Sequence, residues 1–156
     1  MPVHSATLVQ GALSCWAYCA DIPEQPGQTG YFHAIVRDRL VQGPLLTVYS
    51  LADRAVGLIY PAGAGIAGQS SFDDLERKPK KYSALGAFGA QAVNATALDM
   101  KPLAEPYTFE PGAIYNINGS TYIQKGGFLE GGHNDIAHPE VGQAIWAAAA
   151  AEARVG

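Results

Sequence analysis

The chain is 156 residues long, 48% apolar and 15% charged, with a formal net charge of −4. That balance excludes a disordered chain, which could not bury enough apolar surface to offset its conformational entropy, and it fits a single domain over residues 1–156 that buries roughly 70% of its unfolded surface. Arg37, Arg39, Arg77, Lys78, Lys80 and Lys81 are interleaved with acids or confined to one short run, which excludes nucleic acid as a partner; a surface so poor in charge points to cover by a partner or by further chain.

Residues 3–10 are short, apolar and β-branched at Val3, Thr7 and Val9, the pattern of a buried strand. A parallel strand is flanked on both sides and reached by a crossover, so a chain that opens directly on one is expected to belong to a larger sheet. No Lys or Arg precedes this apolar start, which speaks against a secretory signal. Cys15 and Cys19 are the only cysteines, too few for a metal cluster and too close for a framework disulfide, and read as buried free thiols. Residues 21–30, with Pro23, Pro26, Gly27 and Gly30, form a loop. Residues 31–42 carry Tyr31, Ile35, Val36 and Leu40 at the spacing of a short amphipathic helix, and Gly43-Pro44 ends it.

A second apolar strand is expected over residues 45–50, running into a short loop with Asp53. Gly63-Ala64-Gly65-Ile66-Ala67-Gly68 then matches the dinucleotide-binding pattern G-x-G-x-x-G. Pro61 interrupts its entry, residues 69–81 have no apolar helical face, and residues 84–90 offer neither a β-branched strand nor an acid, so a nucleotide cofactor is disfavoured. Residues 113–117 and 121–124, split by Asn118-Gly119, give the strongest hairpin signal in the chain. The first of these is also a candidate for the last strand of a central sheet.

The end is the most informative stretch. Gly131-Gly132 puts His133 on a tight turn, and Pro139 and Glu140 suit the first turn of a helix. Val141, Ala144, Ile145 and Ala148 then share one face. Residues 144–151 in this helix fall well short of a membrane span. The chain reads as soluble and cytoplasmic, with no metal and no cofactor.

Two segments together, the apolar strand leading into Asp53 with Val56 three positions on, and the Gly-His turn before the last helix, resemble the C-terminal part of an α/β-hydrolase. The resemblance covers most of residues 3–153 in order. It implies an α/β fold, a mostly parallel sheet flanked by helices and lacking its N-terminal strands, with Asp53 as triad acid and His133 as triad base. No G-x-S-x-G nucleophile elbow occurs in the sequence; Gly68-Gln69-Ser70-Ser71-Phe72 and Asn118-Gly119-Ser120-Thr121 are the nearest approaches. The nucleophile and the oxyanion donors are therefore expected from upstream sequence or a second chain, and the chain alone is expected to be silent toward its ester-like small-molecule substrate. A homo- or hetero-oligomer that completes the sheet follows from the same reasoning, and a non-catalytic assembly subunit is the alternative.

Each candidate has a plainer role open to it. Asp53 is also a residue type that caps a turn after a strand. His133 is also a loop histidine, His138 a helix cap, and Asp135 a rival acid two positions from His133. His4 and His33 read as packing or surface residues. Trp16, Tyr18, Tyr31 and Phe32 are candidates either for core or for a substrate pocket.

Overall fold

A computed structural model describes residues 3–53, 79, 81–126 and 132–152. The expected stretches on either side of these, including Val56, the glycine pattern at Gly63 to Gly68, and Gly131, lie outside the described residues.

The elements run β1 (Ala6–Val9), α1 (His33–Arg37), β2 (Leu45–Tyr49), α2 (Leu85–Phe88), β3 (Ala95–Asp99), β4 (Ile114–Asn118) and α3 (Pro139–Ala150). The four strands form one sheet in the order β1-β2-β4-β3, and every pairing is parallel. The molecule is thus an α/β protein. Parallel pairing forces each return connection across a face of the sheet, and right-handed crossovers decide which face. The connection from β1 to β2 and the segment around α2 cover one face, where Ala17, Tyr18 and Leu85 pack on Leu45 and Ile114. The chain reverses at β3. Its return to β4, carrying Met100 and Phe109, joins α3 on the other face over Leu46, Val48, Tyr115 and Ile117.

Strand β2 is buried along most of its length because it has a neighbour on each side and cover on both faces. A polar device sits inside this core. Thr47 and Asn116 are register partners; the Thr47 hydroxyl donates to Asn116 Oδ1 at 2.6 Å. The Asn116 amide also exchanges two hydrogen bonds with the Ala90 backbone, at 2.8 and 2.9 Å. Gly89 before it takes φ +69, and a Cβ there would stand 2.7 Å from the Asn116 side chain. The loop after α2 is thereby fastened to the sheet.

Several sequence expectations need correction. Strand β1 is shorter than residues 3–10, with Val3 in an isolated bridge to Val41. Helix α1 covers a central part of residues 31–42, because Arg39 turns to φ +51 and the Leu40 N–H returns to the Ile35 carbonyl. No hairpin forms at Asn118-Gly119. Both edges of β4 are already taken by β2 and β3, so residues 120–122 turn instead, and the Tyr122 and Ile123 N–H groups donate to the Gly119 carbonyl. Strand β3, which sequence reasoning missed, is an edge strand among the described residues. On α3, Val141, Ala144 and Ala148 are buried as expected, whereas Ile145 is exposed.

The aromatic candidates belong largely to the core: Trp16 and Tyr18 are buried, Phe32 packs against the same face, and Tyr31 stands in solvent. No helix among the described residues is long and apolar enough to cross a membrane.

Candidate functional site

Because all strands are parallel, their carboxyl ends meet at one edge, and the loops leaving β1, β2 and β4 converge there. The β2 loop is built first. The Ser50 N–H donates to the Gly86 carbonyl at 3.0 Å and the Asp53 N–H to the Ser50 carbonyl at 3.1 Å, closing a tight turn. The buried Ser50 hydroxyl donates to the Ile123 carbonyl at 2.7 Å while accepting from the Ala52 N–H. This turn aims the Asp53 side chain inward, where it is wholly shielded from solvent.

The histidine loop is laid against that turn. The Gly132 N–H donates to the Ala52 carbonyl at 2.9 Å, and the Asp135 N–H returns to the Gly132 carbonyl at 3.0 Å. His133 follows directly, and its Nδ1 lies 2.9 Å from Asp53 Oδ2. An ionised carboxylate only accepts, so Nδ1 carries the proton and donates. The imidazole is about one-third exposed, at 32%, against 0% for the carboxylate. Nε2 is left as the basic face of the ring. The two residues that the sequence singled out, 80 positions apart, are thus brought into direct contact.

Asp135 is occupied elsewhere, which removes it as the acid. Its Oδ2 accepts from the Lys125 N–H at 2.7 Å and the Gln124 N–H at 2.9 Å. These two donors, with His138 beside them, hold its carboxyl below the usual carboxylate range. His138 occupies the N-cap position of α3 without a side-chain capping bond; its Nε2 is 3.1 Å from Asp135 Oδ1. His4 Nε2 meets the Ala151 carbonyl, and His33 Nδ1 meets the Tyr18 carbonyl.

A second polar row crosses the same edge. Asn118 Nδ2 donates to Asp99 Oδ1 at 3.1 Å, the Ser120 hydroxyl donates to Asn118 Oδ1 at 2.6 Å, and Ser120 Oγ accepts from the Leu51 N–H at 2.9 Å. This row ties the ends of β3, β4 and β2 together and steadies the acid loop from outside. The Ser50 and Ser120 protons are both committed to carbonyl oxygens, so neither hydroxyl is presented to His133.

Sequence reasoning missed Gln10. It leaves β1 with φ +51 and is 4% exposed, and its side-chain amide reaches Asp53. The signal available was a polar residue before Gly11 at the end of an apolar strand. Cys15 and Cys19 are buried free thiols, as expected. Burial pushes the Cys15 thiol up to about 12. Among the described residues no three His, Cys, Asp or Glu side chains gather as a metal site.

The chain matches no protein-family model, no curated protein and no solved structure.

Proposed function

We propose that this chain supplies the acid and the histidine of an α/β-hydrolase-type serine hydrolase that cleaves an ester-like bond in a small molecule. The attacking serine comes from sequence beyond these residues or from a second chain. The single observation that carries the reading is the 2.9 Å hydrogen bond between His133 Nδ1 and a fully buried Asp53 carboxylate. Strand order supports it, since the acid follows β2 and the histidine follows β4, which are neighbours in one parallel sheet.

A serine hydroxyl is a weak nucleophile near neutral pH and needs a base to accept its proton as the acyl carbon is attacked. In this reading His133 Nε2 accepts that proton and later returns it to the leaving group, and Asp53 holds the ring in the required tautomer and stabilises its cationic form. The oxyanion donors accompany the serine, and removing one such donor costs about 3–4 kcal/mol in comparable enzymes. The isolated chain is therefore inactive. Strand β1 has β2 on one side only among the described residues. A strand added on its other side would extend the sheet, and in this reading an oligomer or a complex accompanies activity.

The test is labelling of the natively purified protein, with whatever co-purifies, by a fluorophosphonate probe. The expected result is a labelled serine outside this sequence whose labelling disappears with His133→Ala. A labelled serine within these 156 residues, lost with the same substitution, would overturn the external source of the nucleophile. Absence of any His133-dependent label would overturn the hydrolase reading and leave a structural or assembly subunit.

A further inference from the structure

The geometry points to Gln10 as a positioning residue that clamps the Asp53 carboxylate for His133. This inference rests on the catalytic reading of Asp53 and His133 above.

Gln10 continues the ladder of β1, its N–H donating to the Val48 carbonyl at 2.9 Å, and then turns into the left-handed region at φ +51. For a residue with a Cβ that conformation costs roughly 1–2 kcal/mol, and a glycine or asparagine at this position would avoid much of it. The turn sends the side chain across the end of β2. There the amide end lies 2.7 Å from Asp53 Oδ2 and 2.8 Å from the Gly86 carbonyl oxygen. Both neighbours only accept, so the nitrogen faces them, and its two protons serve one each.

The backbone beside the amide is closely packed as well. A Cβ on Gly86 would stand 2.6 Å from the Gln10 carbonyl carbon, so this turn presses directly on the Gln10 backbone. The Gly86 carbonyl also accepts the Ser50 N–H that starts the acid loop. Gln10 is thus wedged between the turn that shapes the acid loop and the acid itself.

Asp53 Oδ2 accepts from two donors, the Gln10 amide and His133 Nδ1. Two donors on one oxygen fix the plane of the carboxylate and the direction in which the imidazole must lie. The Gln10 donor is uncharged. A lysine or arginine there would neutralise Asp53 and weaken its hold on an imidazolium, whereas an amide orients the anion and leaves its charge for the ring.

The experiment is nuclear magnetic resonance on the full chain, following the His133 Nδ1–H proton in the wild type and in Asp53→Asn, Gln10→Met and Gln10→Gly. The glycine variant relieves the backbone at φ +51 while deleting the amide. The wild type is expected to show a downfield, slowly exchanging Nδ1–H that Asp53→Asn abolishes. Both Gln10 variants are expected to move this resonance and to speed its exchange about tenfold, the order set by one lost hydrogen bond. A purely structural Gln10 would lower the melting temperature and leave the resonance alone. An unchanged resonance in the Gln10 variants, with Asp53→Asn still abolishing it, would overturn the Gln10 role and keep the pair. A resonance indifferent to Asp53→Asn would overturn the pair and with it the proposed function. Should both Gln10 variants fail to fold, the wild-type Gln10 side-chain protons decide: slow exchange supports the clamp, and exchange as fast as that of the exposed Gln28 overturns it.

Discussion

Gly132 and Ile123 meet backbone to backbone beside the Asp53–His133 pair: a Cβ on Gly132 would stand 2.9 Å from the Ile123 carbonyl oxygen. That same oxygen accepts the Ser50 hydroxyl at 2.7 Å. The acid loop and the histidine loop are thus registered against one shared carbonyl. Gly132→Ala is expected to destabilise the fold by about 1–3 kcal/mol through overpacking and to part the ring from Asp53. Urea denaturation together with the His133 Nδ1–H resonance checks this, and an alanine variant that keeps both unchanged would refute it.

Asp53→Asn preserves the shape of the side chain but removes the anion and offers the ring a donor where it needs an acceptor. Under the proposed function, with the nucleophile present, hydrolysis is expected to fall by about four orders of magnitude, as the wrong tautomer of the histidine is then held in place. Steady-state rates of the complete assembly measure it. A loss of only a few fold would remove Asp53 from the mechanism.

The Asp135 carboxyl is held below its ordinary value by the Lys125 and Gln124 N–H groups. A depressed carboxyl stabilises the folded loop above the unfolded value, roughly pH 3.9, and that contribution is lost as pH falls through the lower folded value. Hydrogen exchange at Gln124 and Lys125 is expected to quicken only in strong acid in the wild type, and near neutral pH in Asp135→Ala. Equal protection in the variant at neutral pH would contradict the capping role.

Burial pushes the Cys15 thiol up to about 12, and burial raises that of Cys19 as well. The unfolded thiols ionise near pH 8.5, roughly, so the stability tied to the neutral buried forms is complete below that pH and declines as pH rises toward the folded values. The expected outcome is no reaction with a thiol probe in the native protein, full reaction after denaturation, and a melting temperature that drops in alkali. Rapid labelling of native Cys15 would show that the thiol is open to solvent.

Asn116→Leu strands the Thr47 hydroxyl and the Ala90 N–H and carbonyl, which Asn116 now satisfies. The loss is expected at roughly 3 kcal/mol or more, since each of the three polar groups left unpaired costs about 1–3 kcal/mol. Chemical denaturation measures it. A variant as stable as the wild type would mean that the loop after α2 refits without the amide.

Strand β2 and its acid were legible because an uninterrupted apolar run between Pro44 and the polar loop has few other structures open to it. Pro139 with Glu140 marked the start of α3 for equally local reasons, a missing N–H and a favourable dipole end. The pairing of Asp53 with His133 was implied by the resemblance, which gives the two as triad acid and base. Strand β3 was hidden because Ala95, Thr96, Ala97, Leu98 and Asp99 form an edge with no fully buried residue, so no apolar signal was required of it. Asn118-Gly119 misled because a turn signal carries no knowledge of whether the strand before it has a free edge. Asn118 is spent on Asp99 and Ser120 instead of on a hairpin. Gln10 was illegible because its partners, Asp53 and Gly86, are remote in sequence and reach it only through a left-handed backbone turn.

The all-parallel register also sets a timetable. A hairpin closes locally, but each pairing here joins segments separated by a crossover, and Asp53 meets His133 across 80 positions. Such contacts are reached only after large loops have closed, which places this topology among slower folders. The hydrogen bond between Asp53 and His133 is one such long-range contact, so local structure alone cannot bring the two side chains together.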